Sequence, residues 1–234
     1  MKIYCEAFHS TDKLDAWHEY VEGHARVLQD FGITSLTSHG EEWLSNNHVY
    51  VITARDENGR MIGGIKVHKV DPHFKLPVEL AIDHLTPQIT EDIGRSSIEG
   101  AGEICGLWIG KDTGRMGMAY YLTRVAIAIC EPLGIKTIWG ISSPFTLNMF
   151  LATGYTIIEE YGDSGNYIYP IPGFISTAVV IKNTYTITTA TEIHRSRIFS
   201  LRSKPVQVAT EAHNEFRIDI SYNLSSVFPV ESAH

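Results

Sequence analysis

Residues 103–133 read EICGLWIGKDTGRMGMAYYLTRVAIAICEPL, and this stretch decides the fold. Ile104 to Ile109 is a short apolar run with the length of a buried strand. Gly110 to Gly117 is a loop punctuated by glycines at 110, 114 and 117. Met118, Leu122, Val125, Ile129 and Leu133 then recur every three or four residues and line one face of a helix. A strand, a glycine loop and a helix together expose backbone N–H groups at the positive end of a helix dipole. Glycine lets an anion approach that backbone unobstructed, so the stretch reads as a cradle for phosphate or pyrophosphate.

Two standard cradles are excluded by spacing. A P-loop ends in Gly-Lys-Ser/Thr, which is absent here, and the glycines do not fit G-x-G-x-x-G. Gly114-Arg115-Met116-Gly117-Met118-Ala119 instead resembles the acyl-CoA loop of the GCN5-related N-acetyltransferases, Arg/Gln-x-x-Gly-x-Gly/Ala. It departs at the first position, where Gly114 replaces Arg/Gln. Phe150-Leu151-Ala152-Thr153-Gly154-Tyr155 is similar to the family's later Tyr-x-x-x-Gly-Phe, with Phe150 at the usual tyrosine. Leu76-Pro77-Val78-Glu79, followed by Glu103-Ile104-Cys105-Gly106-Leu107-Trp108-Ile109, resembles segments of the acyl-homoserine lactone and N-acyl amino acid synthases of the same fold, with Gly106 in place of an arginine. The likeness spans about residues 48–160 and rests on the order of its pieces.

Composition bounds the partners. A chain of 234 residues, 44% hydrophobic and 20% charged, buries a sizeable core. A net charge of −8 without a long basic block argues against nucleic acid. No apolar run has the length of a membrane span and the N-terminus lacks a signal-peptide core, so a cytoplasmic protein is expected. Cys5, Cys105 and Cys130 are odd in number and widely spaced, and neither His68 with His73 nor His18 with His24 has metal-ligand spacing. No disulfide framework and no metal are expected.

Along the chain, 2–8 reads as a strand and 13–30 as a helix capped by Ser10 or Thr11. Glu41 to Leu44 reads as a helical turn. Residues 48–55 and 60–67 flank Asp56-Glu57-Asn58-Gly59, a hairpin signature. A helix broken at Pro87 is predicted over 76–93, then a loop to Gly102. Residues 136–141 form a strand parallel to the central one, given a right-handed crossover. Ser143 before Pro144 predicts the capped start of a helix over 145–152, followed by a strand at 155–158. Residues 166–188 are β-rich, His194 to Lys204 is basic, and Glu215 to Tyr222 alternates like an edge strand. The expected architecture is a mixed α/β twisted sheet with helices on both faces, in which the parallel strands splay at the cofactor site. Residues 1–190 would form the acyltransferase domain and 191–234 a C-terminal extension, an edge strand or partly mobile.

The resemblance implies transfer of an acyl group from acetyl-CoA or a longer acyl-CoA to the amine of a small molecule or peptide, by direct attack in a ternary complex. Leu107, Trp108 and Ile109 would bond the pantetheine, and Gly114, Arg115, Met116, Gly117, Met118 and Ala119 would hold the pyrophosphate. Glu103 is the first candidate for the general base and Glu79 the second; each reads equally well as a solvated or salt-bridged carboxylate. Ser142 and Ser143 would orient substrate or leaving group, with capping as the plainer role of Ser143. Phe150 has no hydroxyl to protonate a thiolate. Cys105, mid-strand and without a base, reads as packing. An acyl carrier protein is the alternative donor, landing on Lys66, His68, Lys69, His73 and Lys75 with Arg195, Arg197, Arg202 and Lys204, although those residues read more simply as a solvated face. A homodimer stays open, as do an acyl-CoA sensor without turnover and a nucleotide-binding α/β domain.

Overall fold

The computed structural model describes residues 1–33, 36, 37, 43, 44 and 46–228. β1 is Lys2–His9, α1 is Leu14–Asp30, β2 is Val49–Arg55 and β3 is Met61–Lys69. Two helices follow, α2 (Pro77–Ile82) and α3 (Gln88–Ser97), then β4 (Ala101–Ile109), a 3-10 turn (Lys111–Met116) and α4 (Met118–Cys130). β5 (Thr137–Ser142), α5 (Leu147–Thr153), β6 (Thr156–Ile157), β7 (Asn166–Ile168) and β8 (Ile175–Ile181) complete the predicted core. α6 (Glu192–Ser203), β9 (Val206–His213) and β10 (Phe216–Asn223) close the chain.

Among the described residues the strands form one mixed sheet in the order β6-β8-β5-β4-β3-β2-β1-β10-β9, with β7 also on β8. The adjacent glycines of β3 show which helix covers which face. A Cβ at Gly63 would stand 3.3 Å from Leu122 of α4, and one at Gly64 only 2.6 Å from Tyr20 of α1. Successive strand residues point to opposite faces, so α4 lies on one side and α1 on the other. β3 is accordingly buried along almost its whole length, as a strand covered on both faces must be. α4 is the central helix: Met118 and residues 121–130 are all buried.

The departures from expectation have local causes. The break expected at Pro87 is there, but it is wider than one residue and the second helix runs on past Ile93. Helix α2 ends at Ile82 and α3 begins after Pro87 and runs to Ser97, because Ile89 and Ile93 carry its apolar face into the core. The residues between Gly94 and Gly102 are therefore mostly helix and strand, not loop. Neither Ser10 nor Thr11 caps α1, which starts after Lys13 without a side-chain cap bond. Glu41 and Glu42 lie outside the described residues, while Trp43 and Leu44 form a short turn.

The basic segment after residue 191 is a helix rather than a charged strip. Arg202 is turned inward, giving hydrogen bonds to the carbonyls of Ile127 (3.2 Å), Ala128 (3.4 Å) and Thr184 (2.8 Å). β10 runs parallel beside β1, pairing Lys2 with Asp219 through Glu6 with Asn223. β9, not β10, is the sheet edge on that side. A buried cluster ties this segment to α4. Arg124 Nη1 bonds Glu211 Oε2 at 2.8 Å and Arg124 Nε donates to His194 Nδ1 at 2.9 Å. Burial, with the Arg124 charge beside it, pushes the His194 imidazole down to about 4.

Candidate active site

β4 and β5 are parallel neighbours only at Ala101–Thr137, Gly102–Ile138 and Glu103–Trp139. Beyond Glu103 they part. β5 continues as the partner of β8 through Ser142, so the β5-facing backbone edge of Ile104–Ile109 has no strand beside it. A bulge assists the divergence. Gly64 stands opposite Trp108 and Lys66 opposite Cys105, leaving one extra residue in β4. Gly106, at φ 63°, absorbs it. A Cβ there would lie 2.3 Å from the Tyr20 hydroxyl, which donates to the Gly106 carbonyl at 2.5 Å. Only glycine meets both conditions.

A crevice of about 290 Å³ fills the gap. Glu103 to Ile109 form one wall and Ile141, Ser143, Thr146 and Phe150 the other. The roof comes from the end of α1 (Val27, Leu28, Phe31) and from Tyr169, Pro170 and Phe174. Phe31, Phe145 and Phe174 meet over the opening, with ring centroids 5.7 and 6.2 Å apart.

Glu103 lines this crevice although its side chain is nearly closed off from bulk water. Its Oε2 accepts the Val78 N–H at 2.7 Å. Burial is the dominant influence and raises its pKa to about 8; the Val78 bond and the Lys66 charge oppose it, and Glu79 adds to it. Glu79 does not line the crevice; its carboxylate accepts the Leu76 N–H at 2.8 Å at the head of α2. Ser142 is buried behind the wall, its hydroxyl 3.1 Å from that of Thr146. Ser143 does line the crevice, and α5 begins later than its capping role required. Its hydroxyl meets the Thr146 hydroxyl at 3.0 Å instead of a helix N–H.

Leu107, Trp108 and Ile109 all border the crevice. The Trp108 ring itself is packed on Gly23 of α1, where a Cβ would lie 2.2 Å from it. Residues 111–116 form a 3-10 turn rather than an open loop, and the i→i+3 bonds of such a turn engage amides such as that of Thr113. Gly114 and Arg115 are exposed on the turn, Met116 is half-buried and Met118 is in the core. Gly117 is left-handed at φ 79° and starts α4. Tyr120 and Tyr121 are the first residues of that turn to donate back, to the Gly117 carbonyl. The amides of Gly117, Met118 and Ala119 are those that a helix start leaves open to a ligand, and Ala119 borders the crevice. The space of the absent Gly117 side chain is filled from another quarter: His213 Cβ lies 2.7 Å from where a Cβ would stand. Packing against the C-terminal hairpin, as well as positive φ, demands this glycine.

Of the basic residues expected to form a landing patch, His73 and Lys204 are exposed, but several others are not available at the surface. Lys66 and His68 are buried, 1% and 0% exposed, because both point from β3 into the α1 face. Lys66 Nζ lies 5.3 Å from the Trp17 ring, 5.9 Å from Tyr20 and 5.8 Å from Trp43. Arg202 is occupied by backbone carbonyls, Lys75 pairs with Asp83 at 2.7 Å and Lys69 bonds the Leu133 carbonyl at 2.8 Å. The sequence signal missed was the alternation of Gly64, Lys66 and His68 on one face of a fully buried strand. Cys105 borders the crevice, but burial and the neighbouring Glu103 push its thiol far up, out of the thiolate range. Among the described residues no three His, Cys, Asp or Glu side chains converge to hold a metal ion, and no helix is long and apolar enough to cross a membrane.

No protein-family profile matches the sequence, and no curated protein is similar to it. Solved structures do resemble its fold. FeeM, an N-acyl amino acid synthase from uncultured soil microbes, superposes with a TM-score of 0.60 at 10% identity, over 79% of this chain and 99% of its own. BjaI, a CoA-dependent acyl-homoserine lactone synthase, gives 0.56 at 10% identity over 96% of each chain. ElaA of Escherichia coli gives 0.54 at 10% identity, over 76% of this chain and 98% of its own. The likeness is one of fold: the chain adopts the GCN5-related N-acetyltransferase fold, as found in the acyl-homoserine lactone synthases.

Proposed function

We propose that this GCN5-related N-acetyltransferase fold transfers an acyl group from an acyl-CoA thioester to the amine of a small molecule. The observation that carries the reading is Glu103, a carboxylic acid tuned to about 8, at the inner end of a crevice opened by two diverging parallel strands. The N-acyl amino acid and acyl-homoserine lactone synthases it resembles in fold support the same class of chemistry.

The residues present suit such a donor. The amides of Gly117, Met118 and Ala119, at the head of α4, would accept a diphosphate. The unpaired edge of Ile104–Ile109 would bond the amides of the pantetheine arm as an added strand does. Val27, Leu28, Phe31, Phe145 and Phe174 offer an apolar enclosure for an acyl chain longer than acetyl. The amine attacks the thioester carbonyl, a C–N bond forms and the C–S bond breaks. Glu103 takes the proton that the amine loses; an acid of pKa about 8 is ionised often enough near neutrality and is still basic. Coenzyme A is the proposed donor rather than an acyl carrier protein, because Lys66 and His68 are buried and Arg202 is turned inward, which leaves a smaller basic surface for a carrier.

A second reading is that the chain binds acyl-CoA without turning it over, since Phe150 lines the crevice with no hydroxyl. One experiment separates the two. Thermal shifts are measured with acetyl-, octanoyl- and palmitoyl-CoA and with ATP and NAD, and thiol release is followed with amino acids as acceptors. The enzyme reading expects stabilisation by octanoyl- or palmitoyl-CoA, release of thiol, and a Glu103→Gln variant that binds but is slowed about 100-fold or more. Binding with no thiol release leaves the sensor reading, and shifts with nucleotides alone defeat both.

A further inference from the structure

Departure of the thioester leaves a thiolate that needs a proton, and Phe150 cannot give one. We propose that Thr146 donates that proton, resupplied through the hydroxyl of Ser143. This inference rests on the acyltransferase reading and adds its acid.

The geometry points to Thr146 in two ways. First, Thr146 and Phe150 are four residues apart at the head of α5, where the Phe150 N–H bonds the Thr146 carbonyl at 2.9 Å. Both side chains line the wall of the crevice that faces β4. A hydroxyl at 146 thus faces the same cleft one helical turn from the ring at 150. Second, the hydroxyls around the crevice differ in what they are bonded to. Among the described residues these are Thr37, Ser143, Thr146, Tyr169 and Ser176. Thr37 and Tyr169 bond each other at 2.8 Å, and Ser176 donates to the Tyr169 carbonyl at 2.9 Å. Thr146 Oγ1 instead lies 3.1 Å from Ser142 Oγ and 3.0 Å from Ser143 Oγ. A hydroxyl has two lone pairs and one proton. Either hydroxyl of each pair can donate, and the Ser143 carbonyl lies within reach of both Ser142 Oγ, at 3.1 Å, and Thr146 Oγ1, at a long 3.3 Å. In the arrangement in which Ser143 donates to Thr146, the Thr146 proton is left to Ser142 Oγ or to that long contact. From there it can turn toward an acceptor in the crevice. Ser143 is partly open to solvent, so the chain can refill from water.

The balance closes. As the C–S bond breaks, its electron pair stays on sulfur and takes the Thr146 proton. Ser143 returns a proton to Thr146 and receives one from water, while Glu103 later passes the amine proton to solvent.

The test compares two thioesters of the same acyl group, one of coenzyme A and one of an aryl thiol whose anion leaves without help. Thr146→Val keeps the shape and removes the hydroxyl. It is expected to slow the CoA thioester about 100-fold and the aryl thioester less than about threefold. Ser143→Ala is expected to lose part of the same difference. A second readout needs no turnover. The ultraviolet thiolate band of bound CoA, titrated with pH, should move its midpoint up by about one unit in Thr146→Val, the size of one lost charge-assisted hydrogen bond. Equal losses on both thioesters with an unmoved midpoint overturn the relay alone. A wild-type protein that turns over neither thioester overturns the acyltransferase reading, and the relay with it.

Discussion

In the proposed reaction, Glu103 is the side chain on which the proton transfer rests. Its carboxyl is buried on the α1 face of β4 and keeps its proton to about pH 8. Two expectations follow with defined signs. As a base it works only when ionised, so the rate should climb as pH rises through about 8 and level off above it. The folded-state pKa lies above the unfolded value of about 4.5, so the contribution of this group to stability is complete below that value and is lost as pH rises through about 8. Glu103→Gln cannot ionise. Its melting temperature relative to wild type should therefore rise between pH 5 and pH 9, by at least about 2 °C, which for a chain of this size corresponds to ~1 kcal/mol. Melting curves at the two pH values measure it; a constant difference would mean that the carboxyl is solvated in the fold. Glu79, the second candidate in the sequence, likewise accepts an amide at the head of α2 but does not line the cleft.

At the scale of elements, the telling contact lies between α4 and the C-terminal hairpin. Arg124, Glu211 and His194 are each 8% exposed or less, and Tyr222 adds a hydroxyl 3.3 Å from the second oxygen of Glu211. Removing one member of a buried pair leaves an uncompensated charge in a low-dielectric interior. Glu211→Ala is therefore expected to lose about 3–5 kcal/mol, and Arg124→Met with Glu211→Leu to recover much of it. Denaturant titration reads both. Because His213 of the same hairpin fills the space over Gly117, the single variant should also weaken acyl-CoA binding. α4 itself was legible, since its apolar positions recur at helical spacing. α6 was not. Its positive charges suggested a solvated strip, whereas the backbone carbonyls of α4 and of the loop before α6 draw Arg202 inward.

For the whole molecule, the sheet continues through β1 into β10 and β9, so residues 191–228 complete the side of the protein on which α4 lies. Truncation after residue 190 would bare the edge of β1 and strand Arg124 inside. Such a chain is expected to lose its cooperative thermal transition, followed by circular dichroism; a retained sharp transition would make the extension dispensable. The order of strands and helices up to β8, the hairpin and the glycine-led start of α4 were legible in sequence alone, because hydrophobic period and turn residues act over a few neighbours. Tertiary structure alone decided the rest. It determined which of two carboxylates faces a cleft, why Gly106 and Gly117 must be glycine, and that Lys66 and His68 lie inside. It also set Ser143 and Thr146, close neighbours in the chain, on a crevice whose other wall is β4. Each of these depends on groups that meet only when strands and helices distant in the chain pack. Burial and proximity then set charge and hydrogen bonding, and no local pattern of residues carries that information.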